Sequence, residues 1–120
     1  MSINSPAPKR CEIWLVNFNP TVGAEIQKTR PALAVSSDAV GKLPLKLVAP
    51  ITDWKEAFSR NLWHVQIIPD AKNGLSKPSA IDALQIRSVS IERFISKTGR
   101  VSATIMEEVV SAIAAVIEYS

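Results

Sequence analysis

The chain has 120 residues and a formal net charge of +3; 47% of its residues are apolar and 21% are charged. That apolar fraction excludes a disordered chain, and the length suits one compact domain that needs neither disulfide nor metal to hold a core. A single cysteine, Cys11, and a single histidine, His64, exclude an internal disulfide, a cysteine-built zinc site and any mechanism needing two histidines from one chain.

Residues 1–8 read as a flexible tail with two prolines and two serines, followed by a single domain over 9–120. Glu12–Phe18, rich in Trp, Val and Ile, reads as a strand. Asn19–Thr29 is a polar loop, opened by Asn19-Pro20 and containing Gly23. Arg30–Ser36 is a second strand, with Pro31 near its start, where a missing N–H does least harm. Ser37–Lys42 reads as a turn with Asp38 as a cap. Leu45–Ile51 is an apolar third strand, and Thr52–Asn61 is a polar link holding a short helix. Leu62–Ile68 is a fourth strand, with Trp63, Val65 and Ile67 on one face and His64 and Gln66 on the other. Pro69–Pro78 is a loop. Ala80–Ser88 and Ser96–Val101 are the last strands, with Ile91–Phe94 as a turn between them.

The period then changes. Ile105, Val109, Ala112, Ile113 and Val116 recur at helical spacing. Ser102 or Thr104 can cap this helix, and Thr104 with Glu107 fits a capping box. Five or six short strands and one helix predict a mainly β fold, a small barrel with a C-terminal helix packed on it or on a second copy.

Charge is divided unevenly. Residues 1–100 carry all 14 Lys and Arg and 8 of the 11 acids, a net +6, while residues 101–120 carry three glutamates and no base. A basic body suits a polyanionic partner; a solvated surface is the plainer alternative. No apolar signal-like core follows Met1, and the longest uncharged apolar stretch, Val109–Ile117, is too short for a membrane span. The expectation is a soluble, cytoplasmic protein without membrane contact. Gly-rich phosphate loops and a Gly-x-Ser-x-Gly elbow are absent from the sequence. Asp53 and Glu56 share a helical spacing, for which solvation is the plain reading.

Four patterns occur in order: Glu12-Ile13-Trp14 with Asn19-Pro20-Thr21-x-Gly23-x-Glu25, then Arg30-Pro31, Pro50-Ile51-Thr52 and Gln85-Ile86-Arg87. Met106-Glu107-Glu108-Val109 closes the series. Through these residues, over about Lys9–Ile117, the chain resembles the PemK/MazF family, the toxins of bacterial toxin–antitoxin pairs. The resemblance implies a small SH3-like β-barrel of the CcdB/PemK type with a C-terminal α-helix, assembled as a homodimer. It implies an mRNA interferase, a metal-independent, sequence-specific endoribonuclease. Such an enzyme cuts single-stranded RNA to 2′,3′-cyclic phosphate and 5′-hydroxyl ends without a cofactor. A cognate antitoxin protein is the implied partner. Two other readings of the same fold stay open: a gyrase poison acting through the end of the C-terminal helix, and a module that binds RNA without cutting it.

The resemblance places the catalytic arginine at Arg30. A planar fork of five donors suits a phosphate, and a pKa above about 12 makes arginine a poor base, so its role is charge stabilisation and proton donation. Thr52 matches the family's active-site threonine and can hold a phosphate oxygen. Glu25 matches a functional acid; it either orients Arg30 or accepts the 2′-hydroxyl proton. Gln27, Lys28 and Thr29 are expected to line the same groove. His64 is a catalytic helper or RNA contact, or else structural. Arg87 contacts phosphate or braces the barrel. Trp54 and Trp63 stack on unpaired bases or pack the core, and Trp14 packs the core. The chain departs from the family at Cys11, where glycine is common. It departs again at Leu84, where many members carry an acid; Asp82, two residues earlier, is the candidate to compensate.

Overall fold

The computed structural model describes residues 7–41 and 43–119. Of the expected tail, residues 1–6 lie outside these, and Pro8 is buried. Lys42 of the expected turn and Ser120 also lie outside the described residues. Seven strands and one helix follow in order: β1 (Glu12–Asn17), β2 (Thr29–Ala34), β3 (Leu45–Asp53), β4 (His64–Ile67), β5 (Ser79–Asp82), β6 (Arg87–Ser90), β7 (Phe94–Arg100) and α1 (Ala103–Val116). Every strand pair is antiparallel, in the order β4-β5-β3-β2-β1-β7, with β6 beside β3. The fold is mainly β with a C-terminal helix, as expected. The described strands run as an open, barrel-like path ending at β4 and β7, not as a closed ring.

β3 organises the sheet. On one side Val48–Pro50 pairs with β2. On the other, Leu45–Val48 pairs with β6 and Ile51–Asp53 with β5. The change of partner leaves a gap in that ladder at Ala49 and Pro50. A proline, which has no N–H to give a ladder, is tolerated there.

The strand expected over Ala80–Ser88 is two strands. Asp82 Oδ1 accepts the backbone N–H groups of Leu84 at 3.0 Å and Gln85 at 3.2 Å, a turn that takes the chain out of β5. The link Thr52–Asn61 holds a 3-10 helix over Glu56–Arg60.

Ser102 caps α1, its side chain accepting the Ile105 N–H at 3.2 Å, so Thr104 lies inside the helix and not at its cap. Met106, Val109 and Ala112 turn inward onto Ile13, Leu33, Ile51, Val65, Ile67 and Ile81 in one apolar cluster. Burial of side chains of this size stabilises by roughly 1.5–3 kcal/mol each. Residues two apart on a strand share a face. Arg30, Pro50, Thr52, His64 and Asp82 therefore stand on the face turned away from α1. A second cluster forms around Val16, Phe18, Ala32, Val48, Val89 and Phe94, with Trp14 edge-on to Phe94 at 5.9 Å.

Cys11 lies at φ 75°. That left-handed conformation costs a residue bearing Cβ about 1–2 kcal/mol, which is the physical reason a glycine suits this position.

Candidate active site

The face opposite α1 carries a groove. Continuing the β2–β3 register two residues beyond the Ala32–Pro50 pair sets Arg30 across from Thr52. Thr52 is opposite Ala80 on β5, and Asp82 is opposite His64 on β4. A cavity of about 450 Å³ is lined by Arg30, Thr52, Asp53, Lys55, Phe58, Trp63, His64 and Asp82, and walled by Ile26, Leu84 and Gln85. A second cavity of about 530 Å³ shares those last three residues and adds Glu25, Pro50 and Arg87. The two make one continuous groove beside the β1–β2 loop. The Arg30 Nε is buried and has no hydrogen-bond partner among the described residues. An unpaired buried donor costs about 1–3 kcal/mol, a cost the fold carries at this groove residue.

The loop is tied down from three sides. Gln85 Oε1 accepts the Ile26 N–H at 2.7 Å, and Gln85 Nε2 donates to the Ala24 carbonyl at 3.5 Å. Arg87 donates to the Phe18 carbonyl at 3.3 Å, with its guanidinium 5.7 Å from the centre of the Phe18 ring. Arg93 donates to the carbonyls of Asn17, at 3.0 Å, and Asn19. Within the loop, Asn19 Oδ1 accepts the Lys28 N–H at 3.0 Å, and Glu25 Oε1 accepts the Val22 N–H at 2.6 Å.

His64 is held on every side. Phe58 stacks on the imidazole, centroids 3.8 Å apart and planes at 15°. Nδ1 is 3.1 Å from the Asn61 amide nitrogen, and Nε2 is 3.6 Å from Asp82 Oδ2. With the amide nitrogen as donor, Nδ1 accepts, and the proton of the neutral ring sits on Nε2, towards Asp82. Burial holds the imidazole below its ordinary pKa; the Asp82 carboxylate opposes that shift without cancelling it.

Residues 9–117 match the family described as "PemK-like, MazF-like toxin of type II toxin-antitoxin system". The chain belongs to this family. It is 33% identical over 102 residues to Endoribonuclease MazF9 of Mycobacterium tuberculosis, a match covering 79% of this chain and 83% of that protein. It is 31% identical over 111 residues to Endoribonuclease PemK of Escherichia coli, covering 91% and 81% respectively. Among solved structures it is similar to the Form-I crystal structure of MazF from Deinococcus radiodurans. The TM-score is 0.78 at 24% identity, over 92% of this chain and 96% of that one. That likeness speaks for the fold.

The positions nominated from the sequence and from the PemK/MazF resemblance fall into three groups. Arg30, Thr52 and His64 line one cavity. Glu25 and Arg87 line the adjoining one, Glu25 turned onto its own loop and Arg87 braced on Phe18. Gln27, Lys28 and Thr29 are exposed and line neither cavity; Ile26 is the loop residue that does. Trp54 also lines neither. It packs edge-on to Phe58 at 5.9 Å, while Trp63, one face against the core, lines the groove. The sequence named Asp82 only as a possible substitute for the acid missing at Leu84, and assigned no site role to Gln85 or Phe58. Gln85 sat inside a quoted motif, but its partner lies 59 positions away. Asp53, exposed as expected, pairs with Lys77 at 3.1 Å. Among the described residues no three His, Cys, Asp or Glu side chains gather as metal ligands, and no helix is long and apolar enough to cross a membrane.

Proposed function

We propose that the chain is an endoribonuclease toxin that cuts single-stranded RNA at a preferred short sequence. The 2′-oxygen attacks the adjacent phosphorus and the P–O5′ bond breaks. The 2′-hydroxyl proton passes to a base, and the departing 5′-oxygen takes up a proton. The products are a 2′,3′-cyclic phosphate and a 5′-hydroxyl, and the step needs no metal ion. The observation that carries this reading is the Arg30 guanidinium. Arg30 lines the groove with Thr52, and its Nε is buried without a hydrogen-bond partner among the described residues.

Negative charge grows on the phosphate oxygens as the five-coordinate centre forms. Donors fixed in place before the reaction stabilise that charge most. Arg30 supplies them and protonates the leaving oxygen, while the Thr52 hydroxyl holds a phosphate oxygen. Glu25 stands on the neighbouring loop, as acceptor of the 2′ proton or as an orienting partner for Arg30. Gln27, Lys28, Thr29, His64, Arg87 and Trp54 are the proposed RNA contacts. The family's description as the toxin of a toxin–antitoxin system supports a cognate antitoxin as partner. The names of both relatives support ribonuclease activity. A homodimer in the cytoplasm completes the reading.

The test is incubation with a long single-stranded RNA in excess EDTA, beside Arg30→Ala. Discrete new 5′-hydroxyl ends, absent with Arg30→Ala, are expected. Intact RNA in the presence of the folded protein would overturn the reading.

A further inference from the structure

Among the described residues Asp82 is the one charged side chain that is buried, at 5% exposure. A buried carboxylate is costly unless its oxygens are satisfied. One oxygen, Oδ1, accepts the two backbone N–H groups that turn the chain towards Gln85. An uncharged Asn performs that task in other turns, and Ser does so more weakly, so the turn does not explain the charge. The other oxygen, Oδ2, faces His64 Nε2 from the directly opposed position of the β4–β5 ladder. Gln85, placed by the first oxygen, reaches across to Ile26 and Ala24 on the loop beside the groove. A single carboxylate thus joins the imidazole at one end of the groove to the loop along its side.

We propose that Asp82 is a positioning residue for RNA cleavage: it fixes the His64 ring and, through Gln85, the β1–β2 loop around Arg30 and Thr52. The proposal rests on the ribonuclease reading above. It assigns Asp82 no contact with RNA. The charged groups that line a cavity with His64 are Arg30, Asp53, Lys55 and Asp82 in the groove, and Glu107 and Glu108 in a separate cavity where the edge of β4 meets α1. Asp82 is the only one of these in an ion-pair contact with the ring. A cleavage site loses about 10²-fold in rate when its groups are displaced by about an ångström, even by a change that touches no substrate.

The experiment uses the full chain and Asp82→Asn, which retains a carbonyl oxygen for the turn and removes the charge. His64 is the sole histidine, so its ring signals can be titrated by NMR without ambiguity. In Asp82→Asn the imidazole titrates at lower pH than in the wild type, because the carboxylate that favours its charged form is gone. Single-turnover cleavage slows about 10²-fold, while RNA affinity stays within about threefold. The double variant Asp82→Asn with His64→Asn cuts no more slowly than the slower single variant, because both act through one unit. An unchanged titration, a wild-type cleavage rate or multiplicative losses in the double variant would overturn the proposal. If Asp82→Asn does not fold, Asp82→Ser, which keeps an oxygen for the turn, takes its place. If the wild-type protein cuts no RNA, the ribonuclease reading fails, and the titration alone then decides the Asp82–His64 coupling.

Discussion

The side-chain oxygen of Gln85 accepts the backbone N–H of Ile26 at 2.7 Å, tying the β1–β2 loop to the turn between β5 and β6. Gln85→Ala removes that acceptor and leaves a half-buried N–H unpaired, a local cost of about 1–3 kcal/mol. The expected outcome is faster tryptic cutting at Lys28 and a fall in RNA cleavage, with the main thermal transition shifted by only a few degrees. Limited proteolysis and a melt on the same sample check it. Proteolysis at the wild-type rate would sink the loop-anchoring role.

Arg30→Ala removes the proposed donor to the phosphate. Cleavage is expected to fall about 10²–10³-fold, the usual cost of losing a preorganised donor to a charged intermediate. Stability should hold within about 1 kcal/mol, since no protein hydrogen bond at Nε is broken. Arg30→Lys should fail to restore the rate, because an ammonium cannot reproduce the planar fork. Single-turnover kinetics and urea melts separate the two effects.

Lys28 is exposed and lies at φ 68°. Lys28→Gly relieves the strain of a Cβ in the left-handed region and should stabilise the fold by about 1 kcal/mol. If Lys28 meets an RNA phosphate as proposed, the same change lowers the magnitude of the salt slope of RNA binding by about 1. Higher stability with an unchanged slope would confine Lys28 to a structural role in the hairpin.

The pH profile of stability follows from two groups. His64 titrates below its ordinary 6.5 in the folded chain, chiefly through burial, with Asp82 opposing. Between that lowered value and 6.5 the unfolded chain binds the extra proton. The contribution is therefore complete above about 6.5 and is lost as pH falls towards the native value. Glu12 behaves separately. Burial pushes its carboxyl up, but hydrogen bonds from Trp14, the Lys9 N–H and Lys97, with the Lys97 charge, outweigh burial and hold it below 4.5. Its contribution is present above 4.5 and is lost only as pH falls below that. Melts between pH 7 and 5.5 should show a falling midpoint that His64→Asn flattens and Glu12→Gln does not.

Removal of Tyr119 and Ser120 separates the ribonuclease from a gyrase poison. α1 ends at Val116, and Tyr119 is 78% exposed. The truncated chain is expected to cut RNA at the wild-type rate. Lost toxicity with RNA cleavage intact would move the activity to the helix end.

Local order was legible in the sequence. The helical spacing of Val109 and Ala112 and the Ser102 cap need only near neighbours, and Arg30-Pro31 marked the start of β2 to within a residue. The break in Ala80–Ser88 was hidden because the run around Asp82 is apolar, and the turn depends on where one carboxylate oxygen points. The pairings of His64 with Asp82 and of Gln85 with Ile26 join residues 18 and 59 positions apart. No periodicity encodes them. Trp54 and Trp63 were indistinguishable by type, and alternation would have carried Trp54 onto the face of Thr52; β3 ends at Asp53, Trp54 packs on Phe58, and Trp63 is the one that lines the groove.

Pro50 marks the point at which β3 exchanges β6 for β5, and the groove opens at that exchange. The floor of the groove is therefore laid down by strand pairing, while its loop wall is held by side chains such as Gln85. Leu84 and Ile26 can be replaced to retune which nucleotides fit while the frame that holds Arg30 opposite Thr52 stays as it is. Selectivity and scaffold are separable in this chain, because one belongs to the lining and the other to the seam.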